Sequence, residues 1–381
     1  MMRHSILDKT REGKLYGETR LRPMRFNKNI HYLRGIAAAL VLLGHSGHYL
    51  KEYLNIDWAA AVFPHTLGLW GVGVFFAISG YLMATLVHKD DWASFLFKRL
   101  ARIYPLFFLV TAISVLCFPE AYPSPYNIYS AVLAPMPAAT YPLRVEWTLV
   151  HEIYFYVLLT IFLLTGKAKI IPYFAAVWIV ITLYVSISGM ALPRIGRADF
   201  FEIFIMPANS AFAVGLLIPL FAQRFTTPLV SIFLFVVLLI VQHHVPASFN
   251  RVTSGIGSGF LVLAAVQSSF AAPRFIDITL HKLGDWSYAM YLVHVSIFVA
   301  ILPILDPSHD FFTWAIASFL AVFFSIIFGE IDIFIVKMSK IVIPLISYRL
   351  ACLICSLFLI LYFSVSILNV FNVSFINGDR M

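Results

Sequence analysis

Long apolar runs dominate this chain, and several approach the roughly 20 residues that an α-helix needs to cross a bilayer core of about 30 Å. Eleven such runs stand between polar breaks, at about 30–50, 67–87, 103–119, 147–165, 170–189, 201–222, 228–244, 253–270, 285–304, 311–330 and 350–370. The breaks hold Pro, Gly and charge clusters of the kind that end helices, at Pro119 to Pro125, Gly166 to Lys169, Pro193 to Asp199 and Asp306 to Asp310. Of the 381 residues, 61% are hydrophobic and only 12% charged. A soluble domain cannot hide so much apolar surface, because even large domains leave about a quarter of their surface in water. The expected fold is therefore all-α, a polytopic transmembrane helix bundle of about 10–11 spans. The same composition excludes a disordered chain, a coiled coil, a disulfide scaffold and a nucleic-acid module.

The net charge of +8 invites a nucleic-acid reading, and its placement argues against one. With the N-terminus on the cytoplasmic side, 20 of the 27 Lys and Arg residues fall in inside segments, six fall outside, and Arg34 lies within the first span. That asymmetry is the positive-inside bias of a membrane protein, and eleven spans put the C-terminus outside. Residues 1–29 are basic and without apolar periodicity, followed by no small-residue cleavage site, so the first span reads as a retained anchor. Met24 is an alternative start of translation. Three parts result: the basic segment 1–29, a transmembrane domain 30–340, and an additional C-terminal helix with a short tail, 341–381. Cys117, Cys352 and Cys355 lie in apolar runs without a second ligand pair, and are expected as buried small hydrophobes rather than metal ligands.

Ionisable residues inside spans are costly, so each is a site candidate. Arg34 and His45 are eleven residues apart, three helical turns plus about 20°, which puts both on one face about 16 Å apart along the axis. A snorkelling Arg and a satisfied core His are the bland alternative; Gly44, Ser46 and Gly47 around the His favour a site. Lys98, Arg99 and Arg102 converge at the inner membrane surface in SFLFKRLARIYPLFF. On charge count alone, ordinary positive-inside charge explains them better than a ligand bearing several phosphates, which is the functional alternative. Gly71, Gly73, Ser79 and Gly80 permit close helix contact. Glu152 lies about one turn inside its run, with Thr148 and Tyr156 four residues to either side as hydrogen-bond partners. Trp147 is an interfacial aromatic, and His151 faces either bundle or lipid. Ser287, Tyr291 and His294 share one face, either lining a cavity or forming an interhelical seam.

Taken in order, these segments resemble the acyltransferase-3 family of integral-membrane acyltransferases. The Arg34-x10-His45 spacing is similar to that family's first-span signature, FFAISGYL to its FFxxSGF/YL element, KRLARIYP to RRxxRIxP, WTLVHEIYFY to WSLxxExxFY, and GDWSYAMYLVH to GxxSYxxYLxH. His-Tyr-Leu before Arg34 replaces the common Asp-Gly-Leu, and Thr148 replaces a usual Ser. The resemblance implies an O-acyltransferase of the bacterial inner membrane. It would move an acyl group, usually acetyl, from cytoplasmic acyl-CoA to a hydroxyl of a cell-surface polysaccharide or lipid-linked glycan. Acyl-CoA is a donor substrate; no bound cofactor, metal or nucleic acid is expected, and lipids surround the bundle. His45 would act as base with Glu152 orienting its ring, by transfer either direct or through an acyl-His45. Arg34, Lys98, Arg99 and Arg102 would hold acyl-CoA. Ser79, Trp147, Ser287, Tyr291 and His294 would contact substrate or its oxyanion. A C-terminal SGNH-type hydrolase domain, present in some members, is expected to be absent. A transporter or flippase of lipid-linked glycans is the main rival, though the chain shows no repeated halves. A membrane-bound O-acyltransferase of the MBOAT type is the same-chemistry rival, against which the early Arg34-x10-His45 element argues.

Overall fold

The computed structural model describes residues 27–119, 128–135, 141–193, 197–224 and 227–378. Residues 1–26 of the basic segment, Met24 among them, most of the Pro119 to Pro125 break, Arg194 and Arg380 lie outside the described residues. Fourteen α-helices and no strand occur among the described residues. In chain order they are α1 (Lys28–Leu54), α2 (Trp58–Val62), α3 (Thr66–Leu86), α4 (Trp92–Cys117), α5 (Ile128–Val132), α6 (Trp147–Leu164), α7 (Ile171–Ser188), α8 (Glu202–Ile205), α9 (Asn209–Arg224), α10 (Pro228–Val241), α11 (Asn250–Gln267), α12 (Arg274–Ile301), α13 (Asp310–Val342) and α14 (Tyr348–Gly378).

Ten of the eleven apolar runs each fall on one helix, and the all-α polytopic architecture is as expected. Among the described residues, α3, α4, α6, α7, α11, α12, α13 and α14 are long and apolar enough to cross a membrane. The other three runs fall short for separate reasons. α1 has 27 residues but carries Lys28, Arg34, Lys51, Glu52 and three histidines. α10 has only 14 residues. The run at 201–222 breaks at Met206 and Pro207 into α8 and α9. The Asn209 side chain holds that break by donating to the carbonyls of Ile203 at 2.6 Å and Phe204 at 3.0 Å. Local signals set the starts of the two helices that carry Arg34, Lys98, Arg99 and Arg102. Asn27 caps α1 by accepting from the N–H groups of Asn29 and Ile30, and Asp91 caps α4 by accepting from those of Ala93 and Ser94.

α3 lies at the centre of one half of the bundle, packed on α1, α9 and α11. Its small residues make this possible. A methyl group on Gly80 would stand 2.2 Å from the Phe212 carbonyl oxygen of α9, and one on Gly73 would stand 2.6 Å from Ser258 Oγ of α11. The expected close helix contact is therefore realised. α12 packs between α1 and α13, and α4 joins α6, α13 and α14 on the far side of the site. The outer faces are lipid-like. On α7, Tyr173, Val177, Val180, Tyr184 and Ile187 form one exposed apolar stripe at helical spacing. Cys117 is exposed, Cys352 half-buried and Cys355 buried, all as free thiols, so only the last is the buried hydrophobe expected.

Candidate active site

α1 and α12 run side by side, and the polar stripe of α12 meets α1 at two depths. Near the start of the pair, Arg34 Nη2 donates to Ser287 Oγ at 3.2 Å, and Ser287 passes its own proton to the Gly284 carbonyl at 2.8 Å. Deeper, His45 Nδ1 and His294 Nε2 are 2.9 Å apart, and His294 Nδ1 is 2.8 Å from the Met290 carbonyl. The carbonyl can only accept, so His294 Nδ1 carries its proton. His294 Nε2 is then the acceptor, and His45 donates from Nδ1. The pattern assigns the lone pair of His45 to Nε2, the geometry of a base oriented by a neighbour. The third stripe residue, Tyr291, points at α6. Its hydroxyl accepts from Thr148 at 2.7 Å and donates to the Val145 carbonyl at 3.3 Å. The stripe is thus the interhelical seam of the two readings, with Tyr291 also lining a cavity.

That cavity, about 510 Å³, opens between α3, α4, α6, α12 and α13. Arg34, Lys98, Arg99, Arg102 and Lys340 line it, against one lining carboxylate, Glu152. Such a surplus of cation selects an anionic ligand. The charges are not equivalent. Lys98 is paired with Asp90 at 2.5 Å. Arg102 grips Asp332 with both arms, at 2.8 and 2.9 Å, and lies over the Tyr288 ring. Among the described residues Arg34 and Arg99 form no ion pair, and Arg99 Nε is buried without a hydrogen-bond partner. Those two guanidiniums are the open anion donors. Asp332 is only 2% exposed. Arg102→Ala would strand a buried carboxylate and is expected to destabilise the bundle by about 3 kcal/mol. Thermal unfolding in detergent should show the loss in Arg102→Ala and a recovery when Asp332→Asn is added.

The structure divides the expected residues: Arg34, Ser79, Lys98, Arg99, Arg102, Glu152 and Tyr291 line the cavity, His45, Ser287 and His294 meet in the seam between α1 and α12, and two partners change. Glu152 does not orient His45. Its Oε1 accepts from the Tyr156 hydroxyl and from Ser79 Oγ at 3.4 Å, and the orienting place belongs to His294. Tyr156 is thus one of the two partners expected for Glu152, whereas Thr148 turns to Tyr291. Ser79 and Tyr291 were expected to donate to an oxyanion, yet both protons are engaged, by Glu152 and by Val145. Trp147 and His45 do not line the cavity. Trp147 sits at the start of α6 against Phe76 and His151, with the Arg251 guanidinium 5.4 Å from its ring. His151 faces the bundle, buried, its Nδ1 2.8 Å from the Trp147 carbonyl. Just before α6, burial pushes the Glu146 carboxyl up to about 7. Sequence reading missed Asp332, Tyr288 and Lys340. Only a buried carboxylate on α13 could have pointed to the first.

A family described as an acyltransferase domain matches residues 27–330, most of the chain. The chain belongs to the acyltransferase-3 family. It is a multi-pass membrane acyltransferase, as the ordered motifs implied. Neither the curated proteins nor the solved structures compared with it gave a match. In this acyltransferase the match covers α1 to most of α13, and so includes both histidines of the dyad and the four cations expected from sequence.

Proposed function

We propose that this acyltransferase moves an acetyl group from acyl-CoA, held at the basic mouth, to a hydroxyl of a cell-surface polysaccharide or lipid-linked glycan. The observation that carries the reading is the adjacency of the cation-lined cavity and the histidine dyad. Tyr291 lines the cavity, and its ring centre is 6.0 Å from that of His294, which holds His45. The CoA phosphates rest on Arg99 and Arg34, and the pantetheine arm carries the thioester inward past Tyr291. His45 Nε2 takes the acceptor hydroxyl proton as its oxygen attacks the thioester carbonyl. The tetrahedral intermediate collapses, the C–S bond breaks, and the CoA thiolate receives the proton from His45. Glu152 acts as a positioning residue through Ser79 and Tyr156. Glu152→Gln is expected to lower turnover about tenfold with folding intact; unchanged product formation removes it from the site.

The family resemblance implies the inner membrane of a bacterium as the setting, and the Lys and Arg asymmetry supports a cytoplasmic N-terminus. In it the basic mouth faces the acyl-CoA pool, and the acceptor approaches from the other side. The direct test supplies membranes with radiolabelled acetyl-CoA and follows label into glycan. Label in glycan only when the protein is present supports transfer. Glycan that crosses the membrane unlabelled points to a flippase.

A further inference from the structure

The cavity wall continues beyond the region that the family match covers. The match ends at residue 330, whereas α13 runs on to Val342. This extension and the turn after it add Val336, Ser339, Lys340, Ile343 and Pro344 to the lining. Lys340 is the exposed cation of the set, and among the described residues no carboxylate pairs with it. Lys98, the other lysine lining the cavity, is already neutralised by Asp90. The open cations therefore form a graded series. Arg34 lies against the buried Ser287, Arg99 is half-buried with its Nε sealed from water, and Lys340 is at the surface.

The anions of acyl-CoA are graded in the same way. The thioester is followed along the arm by a neutral pantetheine, then a diphosphate, and last a 3′-phosphate on the ribose. With the reacting carbonyl innermost, the diphosphate meets the arginines and the 3′-phosphate meets the rim. We propose that Lys340 binds the ribose 3′-phosphate of acyl-CoA, so that the α13 extension selects coenzyme A over thioester donors lacking that group. The inference rests on the acyl-CoA reading above and adds to it a residue and a selectivity. A compact, mobile ammonium suits a terminal phosphate at a wet rim, whereas the half-buried, planar guanidiniums suit a diphosphate held deeper in the cavity. Lys340 also lies in the last turn of α13, where a cation favours the helix dipole. A purely capping role would alter stability and leave donor preference untouched.

Equilibrium binding of radiolabelled acetyl-CoA and acetyl-3′-dephospho-CoA to the detergent-purified full chain separates these roles. The wild-type protein should bind acetyl-CoA about tenfold more tightly than the dephospho form. Lys340→Ala should lose that preference by weakening acetyl-CoA about tenfold while leaving the dephospho donor unchanged, and Lys340→Arg should keep most of it. Arg99→Ala should weaken both donors alike. Equal binding of the two donors by the wild type, or a preference that survives in Lys340→Ala, overturns the assignment of Lys340 and leaves the acyl-CoA reading standing. Failure of the wild type to bind either donor removes that reading along with the assignment.

Discussion

Alanine in place of His45 is expected to abolish acyl transfer, lowering it by at least 10³-fold in membranes that hold the normal amount of protein. A general base contributes about 10²–10⁴-fold by itself, and within the intact dyad His45 is the ring with a free Nε2, since His294 holds its Nδ1 proton on the Met290 carbonyl and its Nε2 against His45. The variant leaves His294 Nε2 buried without a donor, a cost of about 1–3 kcal/mol, so protein abundance must be measured beside activity. Asparagine provides the cleaner comparison. Its amide nitrogen reaches about as far as imidazole Nδ1 and can still donate to His294, but nothing occupies the place of Nε2. His45→Asn should therefore fold as the wild type does and be as inactive as His45→Ala. Esterified glycan at wild-type levels in either variant would falsify the role of His45. Intact-mass measurement of the wild-type protein with acetyl-CoA alone decides between direct transfer and an acyl-His45: a mass increase of one acetyl group appears only on the covalent route.

Much of the bundle was legible because a bilayer demands runs of a fixed length, and the chain supplies eleven of them. Where the count blurred, the cause was local. Charge on α1 dilutes a helix that packs between two apolar ones, and Pro207 splits the run at 201–222 in a way that a sum over apolar residues does not register. The Arg34 and His45 pair was legible for a different reason. Three turns plus about 20° puts both on one helix face, and both do meet α12, at Ser287 and His294. What a single helix cannot reveal is its neighbour. Arg102 and Asp332 are 230 positions apart, and His45 and His294 are 249 apart. Each partner is chosen by which helices pack together, through close approaches such as Gly35 against Gly284. A sequence pattern marks the polar face and leaves its partner open. For that reason Glu152, the nearest carboxylate motif, took the orienting role in the sequence reading, and His294, recognised only as part of a stripe, holds it in the structure.

The exchange of Glu152 for His294 has consequences that kinetics can read. A carboxylate partner would stabilise an imidazolium by charge. A neutral imidazole acceptor fixes the ring and its tautomer, with less charge stabilisation to offer. Removing the acceptor should therefore act on the chemical step and leave donor binding alone. His294→Ala is expected to lower kcat about 100-fold, the lower end of what a well-positioned general base contributes, with the KM for acetyl-CoA unchanged. His294 is fully buried among Tyr291, Phe298 and His45, so loss of volume alone could disturb the site. Phenylalanine keeps the volume without the acceptor, and glutamine restores an acceptor oxygen near the position of Nε2. If orientation is the role, His294→Phe should be as slow as His294→Ala, and His294→Gln should recover most of the rate. A phenylalanine variant with full activity would reduce His294 to packing. A rise in the KM for acetyl-CoA across all three variants would instead place the residue against the donor, and the route from the cation-lined mouth to His45 would have to be redrawn through it.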